Sequence, residues 1–175
     1  MSSPIQERGK SIPASSGGFT LGTEQPATST EVIFSIPNGV KFVSVFLSNV
    51  SQTSTSSNPF LFQLGTAGGI STSGYSDGHS AFVSGGAAVI ANASTGFALL
   101  NNNAANNHNG SLELYLGNST SSTWYSKGSI HSGASAIAGF QDGHVSLNAP
   151  LTTIRITTQN RTATFDNGVM NITYE

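Results

Sequence analysis

Apolar residues in this chain recur at every second position, and no stretch of eleven residues carries the i, i+3, i+4, i+7 spacing of an amphipathic helix. Leu112, Leu114 and Leu116 alternate with Glu113 and Tyr115. Phe60, Phe62 and Leu64 share one side of their segment, and Ile154 and Ile156 sit between Thr153, Arg155 and Thr157. Met170, Ile172 and Tyr174 alternate with Val169, Asn171 and Thr173. A period of two marks a strand with one face on a core. Twenty glycines and many β-branched residues interrupt any helix that could start. About eight to ten short strands are predicted, which reads as an all-β fold, a jelly-roll-like antiparallel sandwich. The order of strands in the sheets is not encoded in this period.

Further strands are expected at Glu31–Ile36, stopped by Pro37-Asn38-Gly39, and at Val40–Val50. The second is nearly continuous in Phe42, Val43, Val45, Phe46 and Leu47, so cover on both faces is predicted. Ala87–Ala91 and Phe97–Leu100 are short apolar runs, and Thr123–Ile130 is expected to pair with the Leu112–Leu116 strand across residues 117–121. Asn38-Gly39, Asp77-Gly78, Asn109-Gly110, Asp142-Gly143 and Asn167-Gly168 read as tight turns. Asp166-Asn-Gly168 is expected to return the last strand beside Arg155–Thr158. Residues 1–30 lack periodicity and carry Pro4, Pro13 and Pro26, which predicts an extended arm ahead of a sandwich domain at 31–175.

Composition narrows the function. Only 8% of residues are charged, against about 25% in an average domain; Ser, Thr and Asn take their place on the expected outer faces. The six cations, Arg8, Lys10, Lys41, Lys127, Arg155 and Arg161, are scattered and the net charge is −2. No basic stripe exists to neutralise a phosphate backbone, so no nucleic-acid partner is expected. No apolar run reaches the roughly 18 residues of a membrane helix, so no membrane insertion is expected. The first ten residues have no apolar core of the secretory type, so export by that route is not expected. Cysteine is absent, which excludes disulfides and thiolate metal sites.

Four groups of residues could carry chemistry. Gly74-Tyr-Ser-Asp-Gly78 matches Gly-x-Ser-x-Gly, and Asp142 and His144 follow Ser76 in hydrolase order. The segment after Gly78 does not begin a helix, so the strand-to-helix elbow is missing and no catalytic residue is predicted; no enzyme activity is expected. Asp77-Gly-His79 and Asp142-Gly-His144 repeat one triplet. Each offers an oxygen and an imidazole, so Asp77, His79, Asp142 and His144 would form a metal site if the two segments met. Two Asp-Gly turns, each leading into a strand, account for the same residues. Trp124, Tyr125, Tyr75 and Tyr115 are expected to be partly exposed, where ring faces can cover the apolar face of a sugar; packing in a core or between subunits is the other reading. The polar stretch 101–109, with Asn103 and His108, is a loop and a candidate ligand contact. No phosphate loop, zinc-protease or calcium-loop pattern occurs, and no cofactor is expected.

Two stretches resemble a known family. The segment Arg155-Ile-Thr-Thr158, then Thr162-Ala-Thr-Phe-Asp166 ahead of Gly168, then Asn171-Ile-Thr-Tyr-Glu175, is similar to the final hairpin of small jelly-roll structural proteins of tailed bacteriophages. The stretch from Ile36-Pro-Asn-Gly-Val-Lys-Phe-Val43 to Leu64-Gly-Thr-Ala-Gly-Gly-Ile-Ser-Thr-Ser-Gly-Tyr75 resembles the first half of the same proteins. The resemblance implies a virion component assembled in the host cytoplasm: a tail-fibre or receptor-binding tip, or a capsid decoration protein. It implies a homo-oligomer, with a trimer expected because closure would hide sheet edges. Other virion proteins would be engaged through residues 1–30, and a host-surface glycan through the 101–109 and 117–123 loops. A free carbohydrate-binding lectin is the alternative. Residues 76–149 carry no part of the resemblance.

Overall fold

In the computed structural model the described residues are 17–54, 57–83, 85–86, 88–100, 106–132 and 137–175. They form strands and no helix: β1 (Thr20–Leu21), β2 (Gln25–Pro26), β3 (Glu31–Ser35), β4 (Phe42–Gln52), β5 (Phe60–Thr66), β6 (Gly69–Ile70) and β7 (Ser76–Val83) come first. β8 (Val89–Ala93), β9 (Phe97–Leu99), β10 (His108–Asn118), β11 (Thr123–Ser132), β12 (Ile137–Ser146), β13 (Thr153–Thr158) and β14 (Phe165–Tyr174) follow.

The pairing is that of a jelly roll. β1 and β2 pair with β14, β3 with β13, β4 with β10, and β5 with β9, all antiparallel. The first half of the chain thus runs against the second half in reverse order, a long hairpin rolled up on itself. Contacts β14–β4 and β13–β5 then join these pairs into two sheets. The larger sheet runs β1-β14-β4-β10-β11-β12-β7-β8; the smaller runs β3-β13-β5-β6, with β9 also on β5.

The core lies between the sheets and contains Phe60, Phe62, Phe97, Leu112, Leu114, Trp124, Ile154 and Phe165, all at most 1% exposed. Full burial of one such side chain contributes roughly 1.5–3 kcal/mol. The alternation read in the sequence is the cause: in β11, Trp124, Ser126 and Ile130 face inward while Tyr125, Lys127 and His131 face out.

β7–β8 and β11–β12 are insertions in the roll. They extend the larger sheet past β10. Their inner side is covered by β9 and Leu100, which packs with Ala81 and Ile137. Close approach is possible because Gly139 lacks a side chain: a Cβ there would lie 3.0 Å from the Leu100 carbonyl.

Several expectations are corrected. Only Asn38-Gly39 is a turn, with Gly39 at φ 87°. Asp77-Gly78, Asn109-Gly110, Asp142-Gly143 and Asn167-Gly168 lie inside strands. Gly110 and Gly143 serve close backbone approach rather than a positive φ: a Cβ would stand 2.2 Å from the Ser129 carbonyl in one case and 2.3 Å from that of Ser76 in the other. Gly168 is at φ 90° in an irregular part of β14, where the register shifts twice. The last strand does not return beside Arg155–Thr158. It crosses to the other sheet and lies between β1 and β4. Val40–Val50 is not covered on both faces: Val43, Val45 and Leu47 point inward, while Phe46 is exposed. Within the predicted arm, residues 20–26 form the first strands of the roll, and Ala27 is fully buried with its N–H donating to the Gly168 carbonyl. The sandwich therefore includes residues before 31. Residues 1–16 lie outside the described residues.

Candidate functional site

The outward face of β10, β11, β12 and β7 is built by register. Tyr115, Tyr125, His144 and Ser76 are successive cross-strand partners, and Phe42 of β4 continues the row on the other side. Cross-strand neighbours of this kind hold their side chains in contact. Ring centroids are 5.0 Å apart for Phe42–Tyr115 and 5.7 Å for Tyr125–His144. Tyr125 is 51% exposed, and its ring lies over Gly117, where a Cβ would come within 2.5 Å of it. The next row on the same face is Glu113, Lys127, Asp142 and Gly78. The third holds Ser129, Phe140, Ser80 and Ile90.

A groove of about 640 Å³ runs between these rows. Tyr115 and Tyr125 form one wall and Phe140 and Ile90 the other, with Lys127 and Asp142 between them. Phe140 and Ile90 are both exposed. The Tyr115 hydroxyl donates to the Glu113 carboxylate, and this hydrogen bond, with lesser burial and charge effects, holds the phenol above its usual pKa. The ion pairs among the described residues are His79–Asp77 and Arg155–Glu31, so Lys127 and Asp142 are unpaired there. The site therefore combines exposed ring faces with an ammonium donor and a carboxylate acceptor that no group among the described residues pairs with.

The structure redistributes the residues singled out in the sequence. Trp124 is 1% exposed and packs in the core, so the expected ring exposure is corrected; it sits at an inward position of β11. Tyr75 is also buried: its hydroxyl accepts from the Leu64 N–H at 2.7 Å and donates to the Ser71 carbonyl at 3.2 Å. Burial pushes its pKa up to about 12. His108 is not on an exposed loop tip but is the first residue of β10, fully buried and edge-on to Phe60. Asn103 lies outside the described residues, as does 101–105 of the loop.

The four-ligand metal site is also corrected. Gly143 pairs with Asp77, and Gln141 with His79, so the two triplets are offset by one residue. With a period of two, that offset puts Asp77 and His79 on the inner face and Asp142 and His144 on the outer face. Asp77 is instead a structural anchor. It contacts His79 Nδ1 at 2.6 Å and accepts from the Ala98 N–H of β9 at 3.1 Å. Among the described residues no cluster of three or more His, Asp or Glu could hold a metal ion.

Ser76 does share the outer face with Asp142 and His144, directly opposite His144 in the register. It starts a strand rather than a helix, and no hydrogen bond joins it to His144 among the described residues. Phe140 and Ile90 were missed in the sequence. Phe140 could have been found, since it is two residues before Asp142 and four before His144 on the outward parity of one strand. Ile90 could not, because its position depends on β8 joining β7. No family model, no curated protein and no solved structure matches the chain.

Proposed function

We propose that this chain is a virion structural protein of a tailed bacteriophage, a jelly-roll module of the tail or fibre that binds a glycan on the host surface. The resemblance at residues 36–75 and 151–175 supports the virion assignment. The observation that carries the binding role is the exposed pair Tyr115 and Tyr125 beside unpaired Lys127 and Asp142 in one groove. A sugar ring offers an apolar C–H face to stack on a phenol and a rim of hydroxyls to accept from an ammonium or donate to a carboxylate. A concave, mainly apolar groove with a few polar groups is the usual form of a ligand site. Expected contacts through the 101–109 loop and Asn103 give way in this reading to the sheet face.

Residues 1–16 would then attach the module to other virion proteins. Phe82 and Val89 are each about half exposed beside the open edge of β8, which supports self-association, with the trimer as the expected closed form. The test is binding of purified protein to host-surface polysaccharide. Tyr125→Ala should lower affinity by about tenfold, roughly 1.4 kcal/mol, with unchanged melting temperature. Undiminished binding by that variant would remove this face from the reading.

A further inference from the structure

Resting on the glycan reading above, we infer that the ligand is an uncharged chain of several sugar units lying across the strands, not a single charged sugar held at one point. The first ground is repetition. Phe42, Tyr115, Tyr125 and His144 occupy four neighbouring strands at matched register. Strand spacing of about 4.8 Å makes this row about 14 Å long. One sugar covers one ring; ring-bearing residues at matched register on four successive strands suit a ligand that itself repeats.

The second ground is charge. The adjacent row alternates Glu113, Lys127 and Asp142 on three consecutive strands. An anionic polymer drawn to Lys127 meets carboxylates on both sides of it, and a cationic polymer meets the ammonium between two attractive sites. The alternation leaves one net negative charge across three strands, too weak a field to gather a polymer of one sign. Hydroxyl groups suffer no such conflict, since they accept from Lys127 and donate to Asp142.

The third ground is that the groove is open along this row. On β7 the position opposite Asp142 is Gly78, and a Cβ built there meets nothing nearer than Asp142 Oδ1 at 3.8 Å. The next position, on β8, is Asn92, another neutral hydrogen-bonding side chain. A chain can therefore leave over Gly78 without obstruction. For the same reason Gly78→Leu adds a side chain to the groove without touching the core.

The experiment is an array of neutral, anionic and cationic saccharides, from monosaccharides to octasaccharides, probed with the full chain and with Gly78→Leu. Binding should be confined to neutral saccharides and should strengthen at least tenfold from mono- to tetrasaccharide. It should change less than twofold between low and high salt. Gly78→Leu should weaken the longer saccharides by about tenfold while keeping the wild-type melting temperature. Binding confined to charged saccharides and falling steeply with salt would overturn the inference while leaving the glycan role standing. Equal affinity for a monosaccharide and its oligomers, or full binding by Gly78→Leu, would overturn it too. Silence across the whole array would sink the glycan role itself.

Discussion

Gly110→Ala separates two readings of one dipeptide. As part of an Asn-Gly turn, Gly110 would be needed for a positive φ, and alanine would cost roughly 1 kcal/mol in strain. In the fold, Gly110 is the third residue of β10, paired with Leu47 of β4 and Ile130 of β11. A Cβ there would lie 2.2 Å from the Ser129 carbonyl and 2.8 Å from the Ile130 Cα, where ordinary contact begins at 3.4 Å. Backbone cannot swing aside as a flexible side chain can, so β10 and β11 must separate by about an ångström. Overpacking of this kind costs about 1–3 kcal/mol. Weakening the flanking ladder hydrogen bonds adds about 1 kcal/mol. The expected total is about 3 kcal/mol, or roughly 6–12 °C in melting temperature for a domain of this size. Gly39→Ala is the internal standard, because Gly39 is at φ 87° with nothing within 4 Å of an added Cβ, so it carries the strain alone. Differential scanning calorimetry of both variants gives the comparison. Equal losses would mean that the β10–β11 contact is not as close as described.

His108→Leu tests the buried imidazole. Burial is the main cause that lowers its pKa, and the charge of His131 lowers it further; the Val50 and Asn106 backbones oppose, but neither ring nitrogen has a well-formed hydrogen bond among the described residues. The unfolded chain then binds a proton that the folded chain refuses, so the native state should lose stability as pH falls below about 6.5. Urea midpoints between pH 7 and 5 should slope in the wild type and flatten in the variant, which at pH 7 should be neutral or up to about 1 kcal/mol more stable; an unchanged slope would refute this account. Trp124→Ala and Tyr125→Ala, adjacent in sequence, should part company: the first should lose about 3–5 kcal/mol of stability, the second less than about 0.5, as thermal melts will show. Removal of residues 1–30 deletes β1, β2 and buried Ala27 and should lower the melting temperature by several degrees, as a thermal melt will show; an unchanged melting temperature would mean that these strands add nothing to the sheet.

Alternation made most strands readable, because parity along one strand depends only on which face meets the core. It placed Leu112, Leu114, Ile154, Ile156 and Ile172 inside, as they are in the fold. Of the two readings of Trp124, partial exposure and core packing, the fold has the second, as its shared parity with buried Ile130 on β11 requires. The Asx-Gly pairs misled for a different reason. Glycine is required both where φ must be positive and where another backbone comes too close for a Cβ, and the dipeptide looks the same in both cases.

What the amino-acid order determined by itself was the all-β class, the inward set on the strands of clear alternation such as Leu112–Leu116 and Thr153–Thr158, and a composition without cysteine or a run of basic residues. Those properties are local: period two, charge and residue chemistry need no knowledge of neighbours. Only the tertiary structure decided that the first strands roll against the last, that β14 lies beside β4 rather than β13, and that the inserted β7, β8, β11 and β12 extend one sheet. It also decided the groove, since Tyr115, Tyr125, Asp142 and Ile90 come from four strands and meet only through the pairing register. Register is a relation between segments distant in the chain, chosen by the packing of the whole core, and no single strand carries it.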